Sequence, residues 1–399
     1  MRGGAALLSR ALDAEEQAVS FKRLFSRSLG AAPGRLHFAA HSHHLWPDAS
    51  FEGQQAAWDD AARLADHKWD RVMGEVWPEA RGHIAMELNL PSPETVVFAP
   101  NTHELLVRVL SEMGKNKPRV LASDGELHSF LSQSARWAEA DAIELETVAT
   151  DQALFADAFM ARARSGDFDL IVVSHVMFGS GRVFDRIDEL AALARPEGPW
   201  VVIDGHHAFM AIEVDLSKVG DRIFYLAGGY KYAMAGEGVC FLHAPPGYGA
   251  RPVNTGWFAG FDDLALMPEQ AGYAQDGRRL AGATFDPSGL YRFNAVQAVL
   301  KREGLTTAAV NAHVDPLLMS LAAELDETGL GSARLLNPAI MQPRARFLAL
   351  ESPRARAWQD AFARAGVITD LRGDVLRIGV GLYHDEDDIT HFCDIAASF

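Results

Sequence analysis

Cysteine is almost absent: among 399 residues there are two, Cys240 and Cys393. Two thiols make no disulfide framework, and a reducing, cytoplasmic setting is expected. Long apolar runs are missing as well. Nothing approaches the ~20 residues a membrane-spanning helix needs, and the first apolar run, residues 5–8, is too short for the hydrophobic part of a secretion signal. Positive charge is in deficit. The net charge is −16 and the sequence pI near 5.4, which argues against nucleic acid or an anionic membrane as a main partner. There is no internal repeat or low-complexity tract and no Gly-x-Gly-x-x-Gly after a first strand, so a nucleotide-binding α/β protein is a remote reading. The cluster His41, His43, His44 has no second Cys or His pair at structural-zinc spacing, so no metal is expected. What remains is 48% hydrophobic and 23% charged residues, enough to bury a large core.

Residues 200–245 say most about chemistry. The apolar run 200–203 breaks into Asp204-Gly205, as when a buried parallel strand delivers a carboxylate to its C-terminal edge. A second run, 222–227, ends in Gly228-Gly229 and then Tyr230-Lys231-Tyr232; a third, 239–243, follows the turn Gly236-Glu237-Gly238. Open α/β sheets bind ligands at such strand ends. A lysine set among apolar strands is partly desolvated, so its amine can act as a nucleophile and form a Schiff base with a carbonyl. Alone, Lys231 could be a salt-bridged side chain and Asp204 a turn cap. Together they point to pyridoxal phosphate, which a lysine holds while a carboxylate keeps the pyridine nitrogen protonated.

Asp204-Gly205-His206-His207, Gly229-Tyr230-Lys231-Tyr232 and Gly256-Trp257-Phe258-Ala259-Gly260 occur in that order. The combination resembles the class V aminotransferase family of fold-type I pyridoxal-phosphate enzymes, and within it the kynureninases give the closest pattern. His41-Ser42-His43-His44-Leu45-Trp46-Pro47 is similar to the N-terminal arm that lies beside the active site there, and the segment from Arg377 to Tyr383 to the family's carboxylate-binding segment.

The resemblance implies a cast of residues. Lys231 binds the cofactor and moves protons, Asp204 holds the pyridinium, and His207 supports Asp204 or the ring hydroxyl. Asn101 and Thr102, at a strand-to-helix junction, cradle the phosphate with Tyr230. Asn101 and Thr102 could equally be helix caps. Trp257 and Thr284 reach the phosphate of a neighbouring subunit, so a homodimer with shared sites is implied. His128 stacks on the ring, with Phe130 the fallback; kynureninases have Phe at the stacking position, so this is a departure. Arg377 grips the substrate's α-carboxylate, for which a planar guanidinium suits, though an Arg in a strand could equally face solvent; His41 and Ser42 contact the substrate, and the arm's histidines could equally simply pack.

Alternating strands and helices predict an α/β fold: a large domain over 51–295 with a mostly parallel sheet covered by helices, and a small α+β C-terminal domain over 296–399. Residues 1–50 form an N-terminal arm, with a helix over 11–30. A helical stretch over 52–88, marked by Trp58, Trp69 and Trp77, should break near Pro78. The function implied is kynureninase-like hydrolysis of a Cβ–Cγ bond in an amino acid, with transamination as the alternative.

Overall fold

The computed structural model describes residues 20–113, 117–151, 154–263, 270–338 and 345–399. The expected helix over 11–30 lies partly outside them; its described part is a 3₁₀ turn, Lys22–Phe25, followed by the helical turn Ser26–Gly30.

Seven strands form the main sheet: β1 (Val96–Ala99), β2 (Arg119–Ser123), β3 (Glu144–Val148), β4 (Leu170–Ser174), β5 (Trp200–Asp204), β6 (Ile223–Gly228) and β7 (Cys240–His243). Their spatial order is β1-β7-β6-β5-β4-β2-β3. Five neighbours run parallel, while β7 runs antiparallel to both β6 and β1. The central strands are buried throughout because helices cover both faces, which is why they read as unbroken apolar runs. Register pairs Ser174 with Asp204 and Asp204 with Leu226, so β4, β5 and β6 end together at one edge.

Helix α1 (Asp48–Leu64) packs on α7 (Ser288–Arg302). The crossing is close: a Cβ at Gly53 would lie 2.6 Å from the Tyr291 carbonyl oxygen. After Ala65, which has φ 49°, helical structure resumes and continues through α2 (Trp77–Glu87). The expected break near Pro78 is not there. The backbone widens into a π-helical stretch at Val72–Val76 immediately before Pro78, and the helix runs on past the proline. Trp69 and Trp77 pack against Phe285, whereas Trp58 is exposed.

Two helices start at the ends of strands beside the site: α3 (Thr102–Glu112) after β1, and α4 (His128–Glu139) after β2. A second sheet contains β8 (Arg334–Leu335), β9 (Phe347–Glu351), β10 (Asp370–Arg372) and β11 (Val375–Gly379), all antiparallel. The arm is stitched to this segment, with Leu36 and His37 pairing in parallel with Val367 and Ile368 and Ala39 bridging to Gly379. No helix among the described residues is long and apolar enough to cross a membrane.

Candidate active site

Lys231 lies just beyond the end of β6, buried, and its Nζ donates to the carbonyl oxygens of His41 (3.0 Å) and Ser42 (3.4 Å). The arm therefore covers the lysine with backbone. Burial, and then the nearby Arg377 charge, lower the Lys231 pKa to about 7, against the pull of Asp204 and Asp370. An amine that is half neutral near pH 7 can act as a nucleophile and a base.

Asp204 ends β5. Its Oδ1 accepts the His206 backbone N–H (2.9 Å) and faces His206 Nδ1 at 2.7 Å. Burial alone would raise its pKa; the charge and hydrogen bonds of His206, with Lys231 beyond, hold it below the usual value. Residue 205 is glycine where the Tyr225 ring packs against the backbone: a Cβ there would lie 2.3 Å from the ring. Of the two roles expected of His207, the support of Asp204 thus falls to its neighbour. His207 points instead toward His41 and Phe178, with ring centroids 6.2 and 4.9 Å away. The reason is geometric, since only residue 206 is near enough along the turn for both its backbone and ring to reach back.

Both ring nitrogens of His207, both of His41 and Nε2 of His206 are buried with no hydrogen-bond partner. Orphaned polar atoms around a buried lysine and a carboxylate are what a site shaped for a polar ring would leave. The residues present fit pyridoxal phosphate: Lys231 would suit its aldehyde carbon and Asp204 its pyridine nitrogen.

The remaining expected residues divide. Thr102 opens α3 on the face toward Asp204, and both border the same small gap. Asn101 caps α3, its side chain accepting the Glu104 N–H at 2.9 Å. His128 is exposed at the start of α4, edge-on to Phe178 at 6.0 Å, whereas Phe130 is buried beneath α4 in the core. Trp257 and Thr284 are bonded to each other (Nε1 to Oγ1, 3.2 Å). Thr284 lines a cavity of about 310 Å³ bordered by Glu104 and Arg108, on the face of α3 opposite Thr102. Within one chain they do not meet Lys231. Arg377 is fully buried, and Asp370 occupies the fork expected to be open for a carboxylate.

Three residues were missed. Phe178, after β4, has Lys231, Arg377 and Arg372 within 4.7–5.6 Å of its ring centre; a lone Phe among Gly and Ser gave no motif to find it by. Asp370, seven residues before Arg377, is held well below its usual pKa: burial opposes this, but His41 and Arg377 outweigh it. Glu126 is buried between the Ser123 and Ser174 hydroxyls, and burial raises its pKa to about 7. Its position just after the strand-end pair Asp124-Gly125 was the available signal.

Burial also depresses a set of imidazoles: His41, His44 and His384 to about 3, His175 and His243 to about 4, and His207 well below its usual value. Below pH 6.5 the unfolded chain takes up protons that these rings refuse. Stability is highest above that pH and falls as pH drops below it, as the unfolded chain gains protons the native rings do not take. Urea midpoints should therefore drop sharply between pH 7.5 and 5. An unchanged midpoint would mean that these rings are solvated.

Among the described residues no group of three or more His, Cys, Asp or Glu could hold a metal ion. Comparison with known proteins gives the family. The description "Aminotransferase class-V" matches residues 58–361, well over half of the chain. The isopenicillin N epimerase of Streptomyces clavuligerus is 31% identical over 196 residues, 47% of this chain and 48% of that protein. A probable cysteine desulfurase of Pyrococcus abyssi is 26% identical over 180 residues, 44% of each. The chain spans about half the length of the curated relatives it matches. Among solved structures, the cystine C-S lyase C-DES superposes with a TM-score of 0.79 at 18% identity, covering 94% of this chain and all of that one. A cysteine desulfurase from Thermococcus onnurineus gives 0.76 at 17%, covering 91% and 94%. The kynureninases, expected as the nearest pattern, are not among these relatives. The chain belongs to the class V aminotransferase family, a family of pyridoxal-phosphate enzymes.

Proposed function

We propose that this protein is a pyridoxal-phosphate enzyme that takes the α-proton of an amino acid onto Lys231 and hydrolyses a Cβ–Cγ bond beside a γ-carbonyl. When bound, pyridoxal phosphate supplies an electron sink that makes the α-proton acidic. Lys231 is the general base and later returns the proton. Asp204 keeps its charge opposite that sink, oriented by His206.

The observation that carries the cleavage reading is the facing pair His41 and His207. Both rings are buried and neutral; neither nitrogen of His207 has a hydrogen-bond partner, and His41 has only Asp370, whose Oδ2 lies 3.8 Å from its Nε2. Neutral imidazoles can donate to a carbonyl oxygen and accept from a water without adding charge. In the hydrolysis the water's hydroxyl joins the acyl carbon, the Cβ–Cγ bond breaks, and a proton at Cβ completes alanine. A desulfurase that relies on its own thiol fits less well, because burial pushes Cys240 and Cys393 up to about 12. Trp257 and Thr284 would serve the partner subunit of a homodimer, which accounts for their distance from Lys231.

Kynurenine is the first substrate to try, followed by smaller γ-keto amino acids. Release of alanine with the matching acid is expected. If the amino group passes to a keto acid and no alanine appears, the protein is an aminotransferase and the cleavage reading falls.

A further inference from the structure

Glu126 is a second carboxyl at the sheet edge that carries Asp204. It follows the end of β2 by three residues and is buried. Its Oε1 accepts the Ser174 backbone N–H at 3.1 Å and faces the Ser123 hydroxyl, while its Oε2 faces the Ser174 hydroxyl. One side chain thus ties the end of β2 to the end of β4. Register sets Ser174 beside Asp204 on β5. Glu126, Asp204 and Thr102 border the same gap of about 20 Å³, room for about one water.

Two features make Glu126 more than a tie between strands. A serine hydroxyl can donate to an ionised carboxylate or accept from a protonated carboxyl. Its two serine partners therefore satisfy Glu126 in either state, and it can change charge without leaving a stranded polar group. The second feature is the like charge of Asp204, which Glu126 feels across the strand ends. Two carboxyls in one dry pocket do not both ionise freely. The other titratable group bordering the gap is His103, in the first turn of α3. Nearby on its own loop, Asp124 is turned to Thr150, and His175, next to Ser174, faces Tyr225. Asp204 has the His206 ring and N–H, with the Lys231 charge beyond, to hold it ionised. Glu126 has two hydroxyls and one amide, so the proton falls to Glu126.

We propose that Glu126 is a positioning residue for Asp204: it carries a proton while Asp204 is charged, and releasing that proton to solvent sets a second negative charge behind Asp204. The added charge makes Asp204 hold a protonated ring nitrogen more strongly. This rests on the reading that Asp204 serves the cofactor's pyridine nitrogen, and it adds a group that tunes the contact from outside it.

Infrared spectra of the whole protein test the proton on Glu126 independently of the cofactor. A protonated-carboxyl band present in the wild type and missing in Glu126→Gln, which keeps an acceptor oxygen, is expected at pH 6 and should fade as pH rises through about 7. In Asp204→Asn the same band should fade at a pH lower by roughly one unit, because the like charge is gone. A wild-type spectrum without that band, or a midpoint that Asp204→Asn leaves in place, would overturn the assignment. In the holoenzyme, the visible absorbance of the cofactor should titrate at a different pH in Glu126→Gln than in the wild type. Identical curves would mean that the charge on Glu126 is not felt at the cofactor, and the tuning role would be lost. Borohydride trapping on wild-type Lys231 separates the two readings: without an adduct there the cofactor reading fails, while the infrared midpoints still decide whether Glu126 and Asp204 share a proton balance.

Discussion

Replacing Lys231 with alanine is expected to abolish turnover and to leave nothing for borohydride to trap. In the wild-type holoenzyme, reduction and peptide mapping should place the pyridoxyl group on the peptide that contains Lys231. Loss of a positioned general acid–base alone lowers rates by roughly 10²–10⁴-fold, and loss of the covalent anchor adds to that. The variant should still fold, because a small uncharged side chain replaces an amine whose partners are two arm carbonyls. Capture of the cofactor by the wild-type protein should also accelerate as pH rises through about 7, where the lysine becomes neutral, rather than near 10.5. The same shift costs stability at and below neutral pH, and the cost is relieved as pH climbs from about 7 toward 10.5, since there the unfolded chain binds a proton that the native one does not. An adduct mapped to another lysine would end this account of the site.

Asp204→Ala should bind the cofactor yet turn over about 100-fold or more slowly, the usual effect of removing a fixed electrostatic partner. Asp204→Asn sharpens the comparison. It keeps an acceptor for the His206 N–H groups, 2.7 and 2.9 Å from Oδ1, so the turn should survive while the charge is gone. Near-wild-type turnover in Asp204→Asn, with the fold intact by circular dichroism, would reduce Asp204 to a turn residue. His207→Ala is not expected to disturb Asp204 at all, because the supporting contact belongs to His206.

The fold could be read because its signals are local. The apolar runs 200–203 and 222–227, which end in Asp and Gly, became strands within a residue of their expected limits. Lys231 and Asp204 were readable for the same reason: a strand end fixes where its next residues emerge. Pro78 shows where local reading failed, since a π-helical stretch just before it absorbed the residue that should have broken the helix.

The sequence by itself determined the alternation of strands and helices and the edge at which Asp204 and Lys231 emerge. Tertiary structure decided which groups meet there. Asp370 neutralises Arg377 only because β10 and β11 pair in a register that puts the two opposite each other. Glu126 reaches Ser174 across 48 residues because the loop after β2 comes beside β4. His41 covers Lys231, 190 positions away, because the arm is pinned to the C-terminal segment. Short-range patterning is set by side-chain periodicity and turn chemistry, which one stretch of sequence carries alone. Charge pairing and desolvation depend on distance in space, which exists only once the chain has closed on itself.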